Sequence, residues 1–258
     1  MSTDRVAQKA QQSRLYDVSI TVGLIAYGVV HLLIAWIAVQ LAWGKSNEQA
    51  SQQGALQELA SQPFGVVLLW VVAIGLFALV IWKALELGYG HLDTSKKVSS
   101  AGRGVVYLVL GISAMKVATG SGGSSSRSQR SMTGRLMENP AGRVLVVIIG
   151  LVVIGIGVRQ IYKAWTKKFT EELSGIVPAA TITLGRVGYA AKGVAFIIVG
   201  ALFGWAGITY QPAKAGGLDT ALRTLKAQPF GSVLLTVMAL GLACFGIYCF
   251  FWSRNARH

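Results

Sequence analysis

Gln62-Pro63-Phe64-Gly65, Asn139-Pro140-Ala141-Gly142 and Gln228-Pro229-Phe230-Gly231 are three copies of one pattern, Gln/Asn-Pro-x-Gly, each standing just before a long apolar run. Superposed on their prolines, the copies lie 77 and 89 residues apart, and Gly28, Gly104 and Gly193 lie 76 and 89 apart. Two independent anchors with nearly the same offsets define an internal repeat. Each repeat carries one apolar run before the motif and one after it. The predicted fold is an all-α integral membrane protein, with six transmembrane helices as three tandem helical hairpins in a pseudo-threefold bundle. Each unit has two spans, so all three share one orientation, as in parallel transporter repeats.

The composition agrees. Hydrophobic residues make up 53% of the 258-residue chain and charged residues 13%, where a soluble domain carries about 25% charged residues. Runs of roughly 20 apolar residues are long enough to cross a bilayer. They are predicted at 19–43, 64–87, 101–119, 142–164, 185–209 and 230–252. Residues 1–18 form a polar N-terminal segment, 19–90 the first hairpin, 98–168 the second and 184–252 the third. The first apolar run is too long for a signal-peptide core, and no small-residue cleavage site follows it, so a retained anchor is expected. The two cysteines, Cys244 and Cys249, stand five apart in the sixth span. They point to different helix faces and cannot bridge each other.

The formal net charge is +14. No recognition helix, stacking sheet or zinc spacing accompanies it, so nucleic acid is not an expected partner. The expected partners are anionic lipid head groups, which attract loop Lys and Arg, together with another membrane protein complex. Of the 24 Lys and Arg, nine fall in the first, third and fifth loops and their adjoining ends. These are Lys45, Lys116, Arg127, Arg130, Arg135, Arg143, Lys214, Arg223 and Lys226. Lys192 lies within the fifth span, and the other 14 lie on the opposite side. The positive-inside rule then places both termini in the cytoplasm.

The first helix of each unit carries small residues seven apart: Gly28, Ala35 and Ala42; Gly104, Gly111 and Ala118; Gly193, Gly200 and Gly207. Gly204 adds a GxxxG pair to Gly200. Small residues on one helix face let backbones approach closely in lipid, so these stripes are predicted packing seams. A short amphipathic segment follows in the first unit (Leu56, Leu59, Ala60) and the third (Leu218, Ala221, Leu222, Leu225). In the second unit the loop 120–135 is rich in Gly, Ser and Arg and is predicted to be a flexible linker. The motif then starts the returning helix. Its Gln or Asn can cap, and Pro63, Pro140 and Pro229 suit a first helical turn. Gly65, Gly142 and Gly231 complete the pattern.

Three paired-helix units with small-residue first helices, a Gly-Ala-Leu segment at Gly54-Ala55-Leu56 and Gln-Pro-Phe-Gly resemble the bacterial membrane family catalogued as domain of unknown function 1206 (DUF1206). The resemblance covers residues from about 20 to 252. The second unit departs from it, with Pro-Ala-Gly for Pro-Phe-Gly and no Gly-Ala-Leu. The resemblance implies a fold and a membrane location. It implies no activity and no catalytic residue.

Ionisable residues inside a span are functional candidates. His31 stands near the middle of the first span, at positions equivalent to Tyr107 and Phe196, so the slot favours a ring. Lys192 is equivalent to Tyr27 and Arg103, and reads first as a side chain that snorkels to the interface. Arg159 with Lys163, and Lys83 with Glu86, read as interfacial anchors. The remaining histidines, His91 and His258, lie in a loop and at the C-terminus. No paired carboxylates occur inside a span, and no metal spacing, nucleophile elbow or phosphate loop is present; haem ligation needs an axial side chain, usually His, and several b-type sites use two, where only His31 stands within a span. Neither an enzyme, a cofactor nor a metal is expected. The expected role is a scaffold, accessory subunit or lipid-organising component. The alternative is a small channel or transporter with a path between the repeats near His31.

Overall fold

A computed structural model describes residues 21, 24–25, 27–44, 50–61, 65–89, 94–121, 125–175 and 177–255. The N-terminal segment, Pro63, His91 and His258 lie outside the described residues. The described chain is helical, with no β-strand among those residues. The long helices are α1 (Tyr27–Ala42), α3 (Gly65–Tyr89), α4 (Thr94–Ala118), α6 (Pro140–Thr166), α7 (Ala179–Thr209) and α9 (Gly231–Arg254). Between them lie the short helices α2 (Gln52–Ser61), α5 (Ser125–Met137) and α8 (Leu218–Lys226). Among the described residues three helices, α6, α7 and α9, are long and apolar enough to cross a membrane. Shorter apolar helical stretches run over Tyr27–Ala42, Gly65–Phe77 and Tyr107–Ala118. A helix satisfies its own backbone groups, which is why apolar runs in lipid adopt it.

The loop 120–135 departs from expectation, because most of it is the helix α5. Ser and Gly are weak helix formers, but short helices take most of their stability from tertiary packing. Thr133 and Met137, one turn apart, are buried. Gly134 between them faces the Pro212 ring, 3.6 Å from an added Cβ. The second repeat therefore has the short helix that its sequence hides.

The chain divides into two compact units, Gln53–Ser125 and the pair of segments Met1–Gln52 with Ser126–His258. In the smaller unit, α2 and α3 of the first repeat pack on α4 of the second. Leu56, Leu69, Ala73, Ala114 and Val117 form its core. In the larger unit, α6 of the second repeat packs on α7 of the third, α5 lies against Pro212 in the turn that follows α7, and α9 packs on α7. There α8 and α9 of the third repeat pack on α1 of the first. One arrangement thus recurs three times: the returning helix of one repeat packs on the first helix of another.

Glycine sets how closely these helices approach. An added Cβ on Gly28 would lie 2.8 Å from the Gly246 carbonyl oxygen, and one on Gly246 would lie 2.9 Å from that of Gly28. Gly157 and Gly193 clash in the same reciprocal way at 2.7 Å, and Gly150 and Gly200 at 2.7 and 2.6 Å. Gly207 meets the Val147 side chain at 2.6 Å, and Gly111 meets Leu76 and Phe77 at 3.4 Å. Gly104 is half-buried in α4. Gly204 departs from expectation: its Cβ direction is open for 4 Å, although its backbone touches Gly150.

The motif works differently from its predicted capping role. Asn139 is the N-cap of α6 and Pro140 its first residue, but no side-chain cap bond forms. In the third repeat Pro229 sits in the preceding turn, and α9 starts after Phe230, which is left-handed at φ 59°. The constant element is the glycine. A Cβ on Gly65, Gly142 or Gly231 would overlap the carbonyl oxygen of Leu59, Leu136 or Lys226. The returning helix leaves directly against the end of the short helix, and only glycine leaves room.

Candidate functional site

The larger unit encloses the polar residues of its helix interiors in an aromatic cluster. His31 on α1 is 5% exposed. Its Nδ1 lies 2.8 Å from the Tyr27 carbonyl oxygen. A carbonyl only accepts, so Nδ1 carries the proton and donates. The imidazole meets the Tyr27 ring edge-on at 4.3 Å and the Phe245 ring at 4.8 Å. Phe245, from α9, also packs edge-on against Tyr189 at 5.1 Å and Tyr27 at 5.7 Å. The ring slot inferred for His31 is thus filled on both sides by rings.

Lys192 is corrected from a snorkelling anchor to an inward-pointing cation. It lies 13 residues into the 31-residue helix α7, about 20 Å along the axis from its start. Its Nζ donates to the Tyr27 hydroxyl. It sits 4.2 Å from the Phe245 ring centre and 4.7 Å from that of Tyr27. Ring faces carry the negative lobe of the π quadrupole and attract a cation. His31 and Lys192 therefore belong to one cluster. Arg159 does not: it is exposed on α6, as an interfacial anchor would be. The side chains of Lys83, Glu86 and Arg103 lie outside the described residues.

Beyond Tyr189 the connection between α6 and α7 folds back over this cluster. A 3₁₀ turn, Lys168–Glu172, buries Phe169 completely. Phe169 stacks on Tyr189 at 5.3 Å, and the Tyr248 hydroxyl donates to the Phe169 carbonyl at 3.2 Å. Gly185 makes room for this ring, since an added Cβ would stand 2.8 Å from Phe169 Cζ. Lys163 pairs with Glu172 at 2.5 Å and lies 5.2 Å from the Tyr189 ring centre. The Ser174 amide donates to the Asn255 carbonyl at 2.7 Å, tying the turn to the end of α9. Two buried oxygens, Glu172 Oε2 and Thr181 Oγ1, have no hydrogen-bond partner among the described residues.

A different polar clasp closes the far end of α1. Asp219 on α8 is 4% exposed. Its Oδ1 accepts from the Ala50 amide at 3.0 Å, and both oxygens accept from Arg223 Nε at 3.1 Å. Lys226 donates to the Leu41 carbonyl. A cation at a helix C-terminus satisfies an orphan carbonyl and the helix dipole together. Arg143 plays a related part for α5, donating to the Met137 carbonyl at 3.2 Å and lying 3.8 Å above the Tyr210 ring.

Cys249 is buried and Cys244 half-buried, both free. Among the described residues no three His, Cys, Asp or Glu side chains converge. The cluster around His31 offers positive charge and hydrogen-bond donors in an aromatic surround. Sequence reasoning missed Phe245, Phe169 and Asp219, whose partners are distant in the chain. It also missed the second side of each seam, although a signal was present. Gly150, Gly157 and Ala164 on α6, and Ala239, Gly246 and Ser253 on α9, repeat the same seven-residue spacing and are all buried.

The Domain of Unknown Function (DUF1206) family matches the chain three times, over residues 22–86, 98–167 and 187–256. The uncharacterized protein YxxB of Bacillus subtilis (strain 168) is 29% identical over 238 residues, covering 88% of this chain and 86% of that protein. No solved structure matches. With three copies of the family unit spanning most of its length, the chain belongs to the DUF1206 family.

Proposed function

We propose that the chain is a six-span protein of the bacterial inner membrane, with its three repeats around a pseudo-threefold axis and both termini in the cytoplasm. Its role is non-enzymatic: a scaffold, an accessory subunit or a lipid-organising component. The recurring packing of a first helix on the returning helix of another repeat supports the threefold arrangement, and α1 of the first repeat meets α9 of the third. Exposed aromatic residues near helix ends support the membrane reading. Trp43, Trp205 and Tyr210 stand toward the C-terminal ends of first helices, and Tyr162 and Trp165 toward that of α6. Tyrosine and tryptophan favour the bilayer interfaces.

The observation that carries the non-enzymatic reading is the packing of its polar centre. His31 lies between rings, its Nδ1–H is committed to its own helix, and the glycine seams are closed at backbone contact. One observation favours a second reading, a channel or transporter: Lys192 points inward toward Tyr27 beside His31. The two readings separate in proteoliposomes. A scaffold should carry no proton, ion or osmolyte flux above that of empty vesicles. His31→Phe, which keeps the ring and removes a buried polar group, should melt at or above the wild-type temperature. Wild-type flux that His31→Phe abolishes at unchanged stability would overturn the scaffold reading.

A further inference from the structure

We propose that the Lys192 ammonium, with the Tyr27 hydroxyl beside it, is a binding site for an oxyanion: the phosphate or carboxylate group of a lipid or a small solute. The proposal rests on α1, α7 and α9 spanning the membrane and is independent of the scaffold reading.

The argument is one of charge balance. A Lys near the centre of a membrane helix costs about 2.5–3.5 kcal/mol on insertion scales, and such residues pair with an opposite charge or line a polar path. Lys192 faces inward and contacts groups on two other helices, Tyr27 and Phe245. From Phe245 the rings of Tyr189 and Phe169 continue along the interior, each in contact with the next. Helices α1, α6, α7 and α9 contain no Asp or Glu. The nearby carboxylate of the α6–α7 connection, Glu172, already serves Lys163. Among the described residues no carboxylate pairs with Lys192. Tyrosine oxygen and ring faces offset part of the charge but do not neutralise it.

The donors suit an oxyanion. An ammonium has three N–H donors, and Tyr27 accepts one of them while keeping its own O–H to give. Phosphate and carboxylate oxygens accept charge-assisted hydrogen bonds of this kind. The contrast with Lys163 is instructive. Both are cations beside aromatic rings in one helix bundle, and among the described residues only Lys163 has a protein carboxylate.

The test compares wild type, Lys192→Met and Lys192→Arg, each delipidated in neutral detergent. Melting is followed in inorganic phosphate, in acetate and in chloride at matched ionic strength. It is followed again in nanodiscs of phosphatidylglycerol and of phosphatidylcholine. Ligand at a hundred times its Kd should raise the wild-type Tm by roughly 5 °C or more. Lys192→Met should lose that rise and Lys192→Arg should keep most of it. A rise in phosphate or acetate identifies a solute anion, and a rise in phosphatidylglycerol alone identifies a lipid head group. Where Lys192→Met fails to fold, Tyr27→Phe keeps charge and ring and should weaken binding about tenfold, the loss of one hydrogen bond to a charged group. No anion-dependent rise in wild type, or an equal rise in Lys192→Met, overturns the site.

Discussion

Gly200 and Gly204 form one GxxxG pair in the sequence, yet they should respond oppositely to alanine. At Gly200 the added methyl would stand 2.6 Å from the Gly150 carbonyl oxygen, 2.7 Å from Ile154 Cγ1 and 2.8 Å from Ile154 N. Ordinary contact at a Cβ begins at 3.4 Å. Two of the three atoms are backbone, so no side chain can rotate away and the helices must part by roughly 0.6–0.8 Å. A radial gap of about 0.5–1 Å forfeits a quarter to a half of each dispersion well it opens. Here the gap would open along the α6–α7 seam that Gly157 and Gly193 share. Overpacking of this kind costs on the order of 1–3 kcal/mol. At about 2–4 °C per kcal/mol for a chain of this size, Gly200→Ala should melt roughly 2–12 °C below wild type. At Gly204 the added methyl meets nothing within 4 Å. Gly204→Ala should stay within about 0.5 kcal/mol of wild type, as substitutions away from packed features do. The assay is thermal unfolding of the three purified proteins in one detergent. Equal shifts for the two variants, or none for Gly200→Ala, would refute the assignment of this seam.

The clasp between α8 and α1 gives a second test. Asp219→Ala strands the buried Ala50 amide and should cost about 1–3 kcal/mol, whereas Asp219→Asn keeps an acceptor and should retain most of the stability; matching melting curves for wild type and Asp219→Ala would count against the clasp. The topology can be read by labelling intact cells with an impermeant thiol reagent in a Cys244→Ala, Cys249→Ala background. Ser121→Cys should label and Asn255→Cys should not, both positions being exposed, and the reverse pattern inverts the orientation. Gly142→Ala should destabilise more than Gly155→Ala on the same helix, because only the first meets a carbonyl, that of Leu136; comparable melting temperatures would remove the steric role of the motif glycine.

The sequence by itself determined the helical class, the three repeats and their family, because each rests on local periodicity and on spacing along the chain. Apolar runs of bilayer length leave the backbone few choices but helix, and the offsets between Pro63, Pro140 and Pro229 need no third dimension. It also marked one face of each seam through Gly28, Gly193 and Gly200. It misjudged α5, because Ser-rich composition argues against a helix until Thr133 and Met137 find something to pack on. It misjudged Lys192, because a basic residue on an apolar helix reads as an interfacial anchor until Tyr27 and Phe245, 165 and 53 residues away, are seen around it. The distinction between Gly200 and Gly204 was equally out of reach, since the two share a spacing and differ only in what faces them. Which helix partners which was decided by the tertiary structure alone. Steric fit between glycines as far apart as Gly28 and Gly246 brings the first helix of the chain against the last, and no pattern within either helix encodes that meeting.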